Sequence, residues 1–184
     1  MKILVIGDTH GKLDKVRDIY PKLTELDLIA HTGDHLRDAR ALARELQIPV
    51  IGVKGNCDGS YSKEDFEIIE TEYGKLLLTH GHMEGVNNSL TSLLYKAQEQ
   101  QCRAVLFGHT HKAFIGESHG VRFVNPGSLS QPRDNTDGSY AVVRTSETCF
   151  DASIVYYSTI MGGGENKKPR GGFVRNLLNY SDRF

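Results

Sequence analysis

A chain of 184 residues has the length of one ordinary domain and can bury roughly 70% of its unfolded surface in a core. Its formal net charge of −1 sets up no field that would gather a nucleic-acid polymer or an anionic membrane. No apolar run approaches the roughly 20 residues of a spanning helix, and the scattered cysteines (Cys57, Cys102, Cys149) show no C-x-x-C spacing, which argues against a disulfide framework and fits a reducing cytoplasm.

Residues 2–7 are apolar and β-branched and read as a strand covered on both faces; the run stops at an acid, with no small-residue cleavage site, so it is no leader peptide. A helical stripe of Leu13, Val16, Ile19, Tyr20 and Leu23 predicts a helix over 12–24 that Pro21 ends or kinks. Residues 27–31 form a second buried strand. Leu36, Ala39, Leu42, Ala43 and Leu46 mark a helix over 36–46, and residues 49–53 form a third strand. This alternation of strand and helix is that of a parallel sheet with crossover helices.

The pattern then changes. Residues 66–71 and 75–79 predict a hairpin around Tyr73-Gly74. A helix over 87–101 carries Leu90, Leu93, Leu94 and Ala97, with Asn87 or Asn88 as its cap. A strand follows at 103–107, then hairpins pairing 113–116 with 121–125 and 139–145 with 149–157. Mixed α/β first and antiparallel β later implies two sheets packed face to face with helices outside. From Gly162 the composition shifts, so the chain divides into a domain over 1–161 and a tail over 162–184. That tail is either a weakly basic flexible segment (Lys167, Lys168, Arg170) or a short helix carrying Phe173, Val174, Leu177, Leu178 and Tyr180 that docks on this or a neighbouring subunit.

Seven side chains of metal-ligand type stand in five short motifs, each where a strand should end. Asp8 and His10 lie in Gly7-Asp8-Thr9-His10, Asp34 in Gly33-Asp34, and Asn56 in Gly55-Asn56-Cys57-Asp58. His80 lies in Thr79-His80-Gly81-His82, and His109 and His111 in Gly108-His109-Thr110-His111. Strand ends of an α/β sheet face the ligand crevice, so residues distant in sequence converge there. In extended chain Asp8 and His10, and likewise His109 and His111, would point to the same side, which suits joint ligation or ligation of adjacent metals.

Imidazole, carboxylate and carboxamide donors suit Mn²⁺, Fe²⁺, Co²⁺, Ni²⁺ or Zn²⁺ better than Ca²⁺. Asp34, alone in its motif, is the natural bridge between two ions roughly 3.5–4 Å apart. Two dications, two aspartates and a bridging hydroxide leave the site positive by about one unit, which matches a phosphodiester anion. Asp8, Asp34, Asn56 and His80 are therefore the candidate catalytic residues. Of the other histidines, His31 reads as a satisfied core residue, His35 as a loop residue and His119 as a solvated turn residue. His82 is either site-lining or structural.

The set Gly7-Asp8-x-His10, Gly33-Asp34, Gly55-Asn56, His80-Gly81-His82 and Gly108-His109-x-His111 resembles the calcineurin-like metallophosphoesterase superfamily, and most of all its small prokaryotic phosphodiesterases. Asn125-Pro126-Gly127-Ser128 followed by Pro132-Arg133 is similar to their pattern too. The resemblance covers about residues 1–157. It implies a four-layer α/β-β/α sandwich of two mixed sheets with flanking helices. It further implies a dinuclear site in which Asp8, His10 and His111 bind one metal, Asn56, His80 and His109 the other, and Asp34 bridges. Mn²⁺ is the common metal of such enzymes.

Two departures stand out. Many members carry a histidine after the asparagine that protonates the leaving group; here Cys57 stands there, whose ordinary pKa of about 8.5 makes it a poor acid. Esters with good leaving groups should therefore turn over best. Many relatives also place a second Asp three residues after the bridging one, whereas this chain has Arg37 there and Asp38 next, which reads as a helix-surface residue. Candidate substrate contacts are Cys57, Asp58, His82, Asn125, Ser128 and Arg133.

The expected activity is hydrolysis of small phosphodiesters, by a homo-oligomer if the tail docks. A phosphomonoesterase, or a non-catalytic scaffold resembling the small retromer subunit of the same superfamily, is the alternative.

Overall fold

The computed structural model describes residues 1–59 and 65–162. The tail expected over 162–184 therefore lies, apart from Gly162, outside the described residues.

Two five-stranded sheets carry the fold. In chain order the strands are β1 (Lys2–Ile6), β2 (Leu28–His31), β3 (Val50–Gly52), β4 (Phe66–Thr71), β5 (Gly74–Thr79), β6 (Ala104–Leu106), β7 (Ala113–Ser118), β8 (Val121–Pro126), β9 (Ser139–Thr145) and β10 (Phe150–Tyr156). The helices are α1 (Asp14–Ile19), α2 (Leu36–Leu46), α3 (Thr91–Glu99) and α4 (Tyr157–Met161). One sheet runs β10-β9-β1-β2-β3, the other β4-β5-β6-β8-β7. Both are mixed: β1, β2 and β3 are parallel, as are β5, β6 and β8, while hairpin partners close each sheet antiparallel.

Side-chain alternation sorts the layers. Along β1, Ile3 and Val5 face the second sheet and pack with Leu76, Leu78, Leu106 and Val124. Leu4 and Ile6 face the other way, onto Val16 and Ile19 of α1 and Leu42 of α2. The second sheet repeats the pattern, with Leu77, Val105 and Phe123 turned onto Leu90, Leu93 and Ala97 around α3. The order of layers is thus helix, sheet, sheet, helix. Each fully buried aliphatic side chain contributes roughly 1.5–3 kcal/mol to this arrangement.

Most expected elements are present, and three differ for physical reasons. The first helix stops at Ile19 because Pro21 enters a 3-10 turn over Tyr20–Lys22. The third helix begins at Thr91, not at 87. Neither Asn87 nor Asn88 caps it; Ser89 Oγ accepts the Thr91 N–H at 3.1 Å. The last strand ends at Tyr156, and Tyr157 opens α4, which packs beside α1.

Candidate metal centre

The carboxyl ends of the parallel strands gather the five motifs, so sheet topology does the positioning. Asp8 follows β1, Asp34 follows β2, Asn56 follows β3, His80 follows β5, and His109 and His111 follow β6. Backbone bonds tie these loops together: Asp8 N–H donates to Gly33 O (3.0 Å), Thr32 N–H to Ile6 O (2.8 Å) and Gly108 N–H to His80 O (3.1 Å).

The loops are tightly wound rather than extended. Asp8, His10, Asp34, His109 and His111 all have positive φ, between 48° and 70°. Such values are uncommon outside glycine, cost free energy, and cluster at functional sites. The extended backbone expected within the motifs is corrected accordingly, although Asp8 and His10 still converge on one group. His111 comes beside Asp8 and His10, whereas His109 stacks its ring edge-on against His80, centroids 5.0 Å apart.

One group of donors is compact. Ligand atoms of Asp8, His10, Asp34 and His111 all lie within 4.8 Å of one another. His10 Nε2 is 3.4 Å from His111 Nε2 and 3.6 Å from Asp34 Oδ2, and His111 Nε2 is 3.4 Å from Asp8 Oδ1. The second group forms on the other oxygen of Asp34. His80 Nε2 is 3.5 Å from Asp34 Oδ1 and 3.1 Å from Asn56 Oδ1. Asp34 thus presents one oxygen to each group.

Outer contacts aim the ligands. His80 Nδ1 bonds to Thr32 O (2.9 Å) and His111 Nδ1 to Gln131 O (2.7 Å). With Nδ1–H donating outward, each Nε2 lone pair is left facing the cleft, the usual arrangement around a metal-ligating histidine. The Cys57 N–H holds Asp34 Oδ1 (2.9 Å), and the His109 N–H holds the Asp8 carboxylate (3.1 and 3.3 Å).

Charge explains what the cleft lacks. Burial pushes the Asp8 carboxyl well above its ordinary range, with the Asp34 charge adding to the effect. Burial also opposes Asp34 ionisation, but His80, the Cys57 N–H and His10 outweigh it, leaving that group below its ordinary range. Desolvation lowers His10, His109 and His111, and takes His80 down to about 4. Neutral imidazoles converging with two carboxylates make a donor set short of positive charge, and buried carboxylates need a cation. The residues present therefore fit divalent metal ions. Asp8, His10 and His111, with Asp34, would hold one, and Asn56, His80 and His109, with Asp34, another.

The remaining candidates divide. Arg133 is exposed at the rim, and its charge opposes protonation of His10, His109 and His111 and favours ionised Asp8. His82 lies beside the second group, its ring 5.3 Å from that of His80, with a buried Nδ1 that has no hydrogen-bond partner. Cys57 is exposed next to Asn56, and burial of its thiol together with the Asp34 charge pushes it up, further from use as an acid.

Asp58, Asn125 and Ser128 serve the loops instead of the cleft. Asp58 accepts from the His35, Leu36 and Gly55 N–H groups (2.9, 2.8 and 2.9 Å), capping α2 from outside. Buried Asn125 donates to Gly108 O (2.9 Å) and Thr110 Oγ1 (3.2 Å) and accepts from the Gly127 N–H (2.9 Å). Buried Ser128 donates to Asp8 O (2.9 Å).

Below the cleft lies a network that the sequence did not suggest. Thr9 Oγ1 donates to Asp38 Oδ2 (2.7 Å) and lies 3.0 Å from His31 Nε2, and the Gly11 N–H donates to Asp38 Oδ2 (2.8 Å). Asp38 is buried, so its reading as a helix-surface residue is corrected: the carboxylate faces inward to brace the Asp8–His10 loop. His31 is a satisfied core histidine, as expected, and burial lowers it to about 4. The signal was available, since Asp38 stands one residue beyond the place where relatives carry their second Asp. Thr32 lies outside this network; its carbonyl holds His80 Nδ1, and its hydroxyl packs against Gly7. A Cβ on Gly7 would sit 1.8 Å from Thr32 Oγ1, so the crossing of the two loops demands glycine there.

Comparison with known proteins agrees with this geometry. Residues 1–148 match the calcineurin-like phosphoesterase superfamily domain, and the chain belongs to that superfamily. It is 35% identical over 144 residues to the probable metallophosphoesterase YsnB of Bacillus subtilis, covering 78% of this chain and 83% of that one. It is 27% identical to the phosphodiesterase YfcE of Escherichia coli K12, covering 78% and 87%. A predicted phosphoesterase from Streptococcus pneumoniae TIGR4 superposes with a TM-score of 0.73 at 29% identity, covering 85% and 90%. Vps29 from Entamoeba histolytica, at 22% identity, 0.68 TM-score and coverage of 85% and 99%, shares the fold.

Proposed function

We propose that the chain is a metal-dependent phosphodiesterase acting on small phosphodiesters, with two divalent ions at the centre and Mn²⁺ foremost among them. The observation that carries this reading is Asp34, whose two oxygens each face a separate group of neutral imidazoles. The likeness to YfcE, named a phosphodiesterase, supports the choice of diesters.

Bound there, such ions supply Lewis acidity and a nucleophilic oxygen at neutral pH. The chain's own residues do the rest. With cations bound, Asp8 and Asp34 would be held ionised, and Asn56 would offer a neutral oxygen that leaves the net charge positive. Arg133 at the rim draws the diester anion and orients its free oxygens. Because Cys57 is a weak acid, the leaving group departs with little help. Turnover should therefore depend steeply on leaving-group acidity.

The test is hydrolysis of bis(p-nitrophenyl) phosphate by metal-stripped protein with Mn²⁺ added back, beside Asn56→Ala and His80→Ala. Mn²⁺-dependent turnover that both variants abolish is the expected result. No turnover by folded protein with Mn²⁺, Ni²⁺, Co²⁺ or Zn²⁺ overturns it in favour of a binding platform. Faster turnover of alkyl monoesters than of diesters would favour a phosphomonoesterase.

A further inference from the structure

The loops after β2 and β3 enclose more than metal ligands. A cavity of about 480 Å³ is lined by His35, Leu36, Arg37, Arg40, Lys54, Cys57 and Asp58. Three of these side chains are cationic and one is anionic. That one, Asp58, is already taken up by three backbone N–H groups, so it is held against the loop wall. Arg40 and Lys54 have other contacts as well. Arg37 is exposed, and its Nη2 meets His35 Nδ1 at 3.2 Å. An imidazole carries no negative charge, so this contact does not neutralise the guanidinium.

Two lining residues of the cavity adjoin the metal centre. The His35 ring packs edge-on against His10, centroids 5.4 Å apart, and His35 follows Asp34 directly in the chain. Cys57 adjoins Asn56, and its N–H holds Asp34 Oδ1 at 2.9 Å. The pocket that Arg37 and Arg40 line therefore shares His35 and Cys57 with the surroundings of the metal centre. A shallow, water-exposed pocket rich in guanidinium groups recognises phosphate better than an uncharged arm, because the planar fork matches phosphate oxygens.

Resting on the phosphodiesterase reading, we infer that the substrate is a diester carrying a second phosphate on one arm. The scissile phosphorus sits at the metal centre, and the second phosphate sits in the pocket formed by Arg37, Arg40 and Lys54. The pocket is a specificity determinant and takes no part in bond breaking.

Two thymidine nucleotides that differ only in a 3′-phosphate test this. Calorimetric titration of the Mn²⁺-loaded protein compares thymidine 3′,5′-bisphosphate with thymidine 5′-monophosphate. The bisphosphate should bind at least about tenfold tighter, as one added charge-assisted contact implies. In the Arg37→Gln/Arg40→Gln variant, both changes being on the exposed face of α2, the ratio should fall to within about twofold. The p-nitrophenyl 5′-esters of the same two nucleotides should show the same ratio in kcat/KM. Equal binding of the two nucleotides, or a preference that survives the double variant, overturns the pocket. Turnover of bis(p-nitrophenyl) phosphate without a bisphosphate advantage overturns the pocket alone. No Mn²⁺-dependent turnover of any ester overturns the parent reading, and this one with it.

Discussion

The two donor groups that share Asp34 are built differently. Asp8, His10 and His111 form a compact set of enclosed or half-enclosed side chains, with Asp8 held through its carbonyl by Ser128 and Ser130 and its loop braced by Asp38. The second group is looser: His80 is fully enclosed, but Asn56 is exposed in a turn. Sites whose ligands are fixed in advance lose less freedom on binding. The first group should therefore take a metal tightly, while the second binds more weakly and exchanges.

The sharpest way to break this contrast is at the shared residue. Asp34→Asn removes the charge that both groups use, and turnover should fall by about 10³-fold, the scale of several kcal/mol of lost charge stabilisation. Metal titration should show both affinities weakened; loss at one group alone would mean that Asp34 does not bridge. Next in size is Asn56→Ala. Equilibrium dialysis against Mn²⁺ should show the weaker equivalent gone and the tighter one kept. Simultaneous loss of both would erase the proposed difference.

Asp38→Ala probes the brace and should cost roughly 10–100-fold in affinity at the first group, as loss of an outer partner does. Asp38→Asn can still accept one hydrogen bond and should recover part of it. A uniform fall in stability with both affinities unchanged would assign Asp38 to packing alone.

The smallest effect is a pH dependence. His31 is held neutral in the native state down to about 4, whereas an unfolded histidine takes its proton near 6.5. Between these values the unfolded chain binds more protons, so stability increases with pH and is lost as pH falls through that window. Denaturant midpoints of the metal-free protein should drop from pH 6.5 to 4, and less steeply in His31→Asn. Parallel slopes would remove His31 from the account.

Much of this centre was legible in the sequence because glycine punctuation and strand-end placement are local signals. Each of the five motifs names its own turn. Donor aim was not legible in the spacing; only the family resemblance divided His109 from His111. That His109 and His111 part toward different groups depends on backbone wound to φ of 70° and 57°, where a spacing of two suggests alignment. Asp38 reads as solvated because nothing local shows that Thr9 and the Gly11 N–H close over a carboxylate on α2. Asp58 and Asn125 look available as substrate contacts because they are polar residues beside a motif. Their backbone partners are up to 23 residues away in sequence, beyond any local pattern. The sheets were readable from alternation; the end of α1 before Pro21 and the start of α3 at Thr91, where Ser89 Oγ takes its N–H, are local details rather than pattern.

The candidate donors come from both sheets: Asp8, His10, Asp34 and Asn56 from the loops of one, His80, His109 and His111 from the loops of the other. An ion held between them would be a rivet across the sandwich. Along the rest of their facing surfaces the sheets meet through apolar side chains, which resist separation but can slide. Loading the centre would pin one edge of that seam. Amide exchange in the two sheets should then slow together, with β5 and β6 gaining protection alongside β1 and β2, although no strand of one sheet is hydrogen-bonded in register to a strand of the other among the described residues.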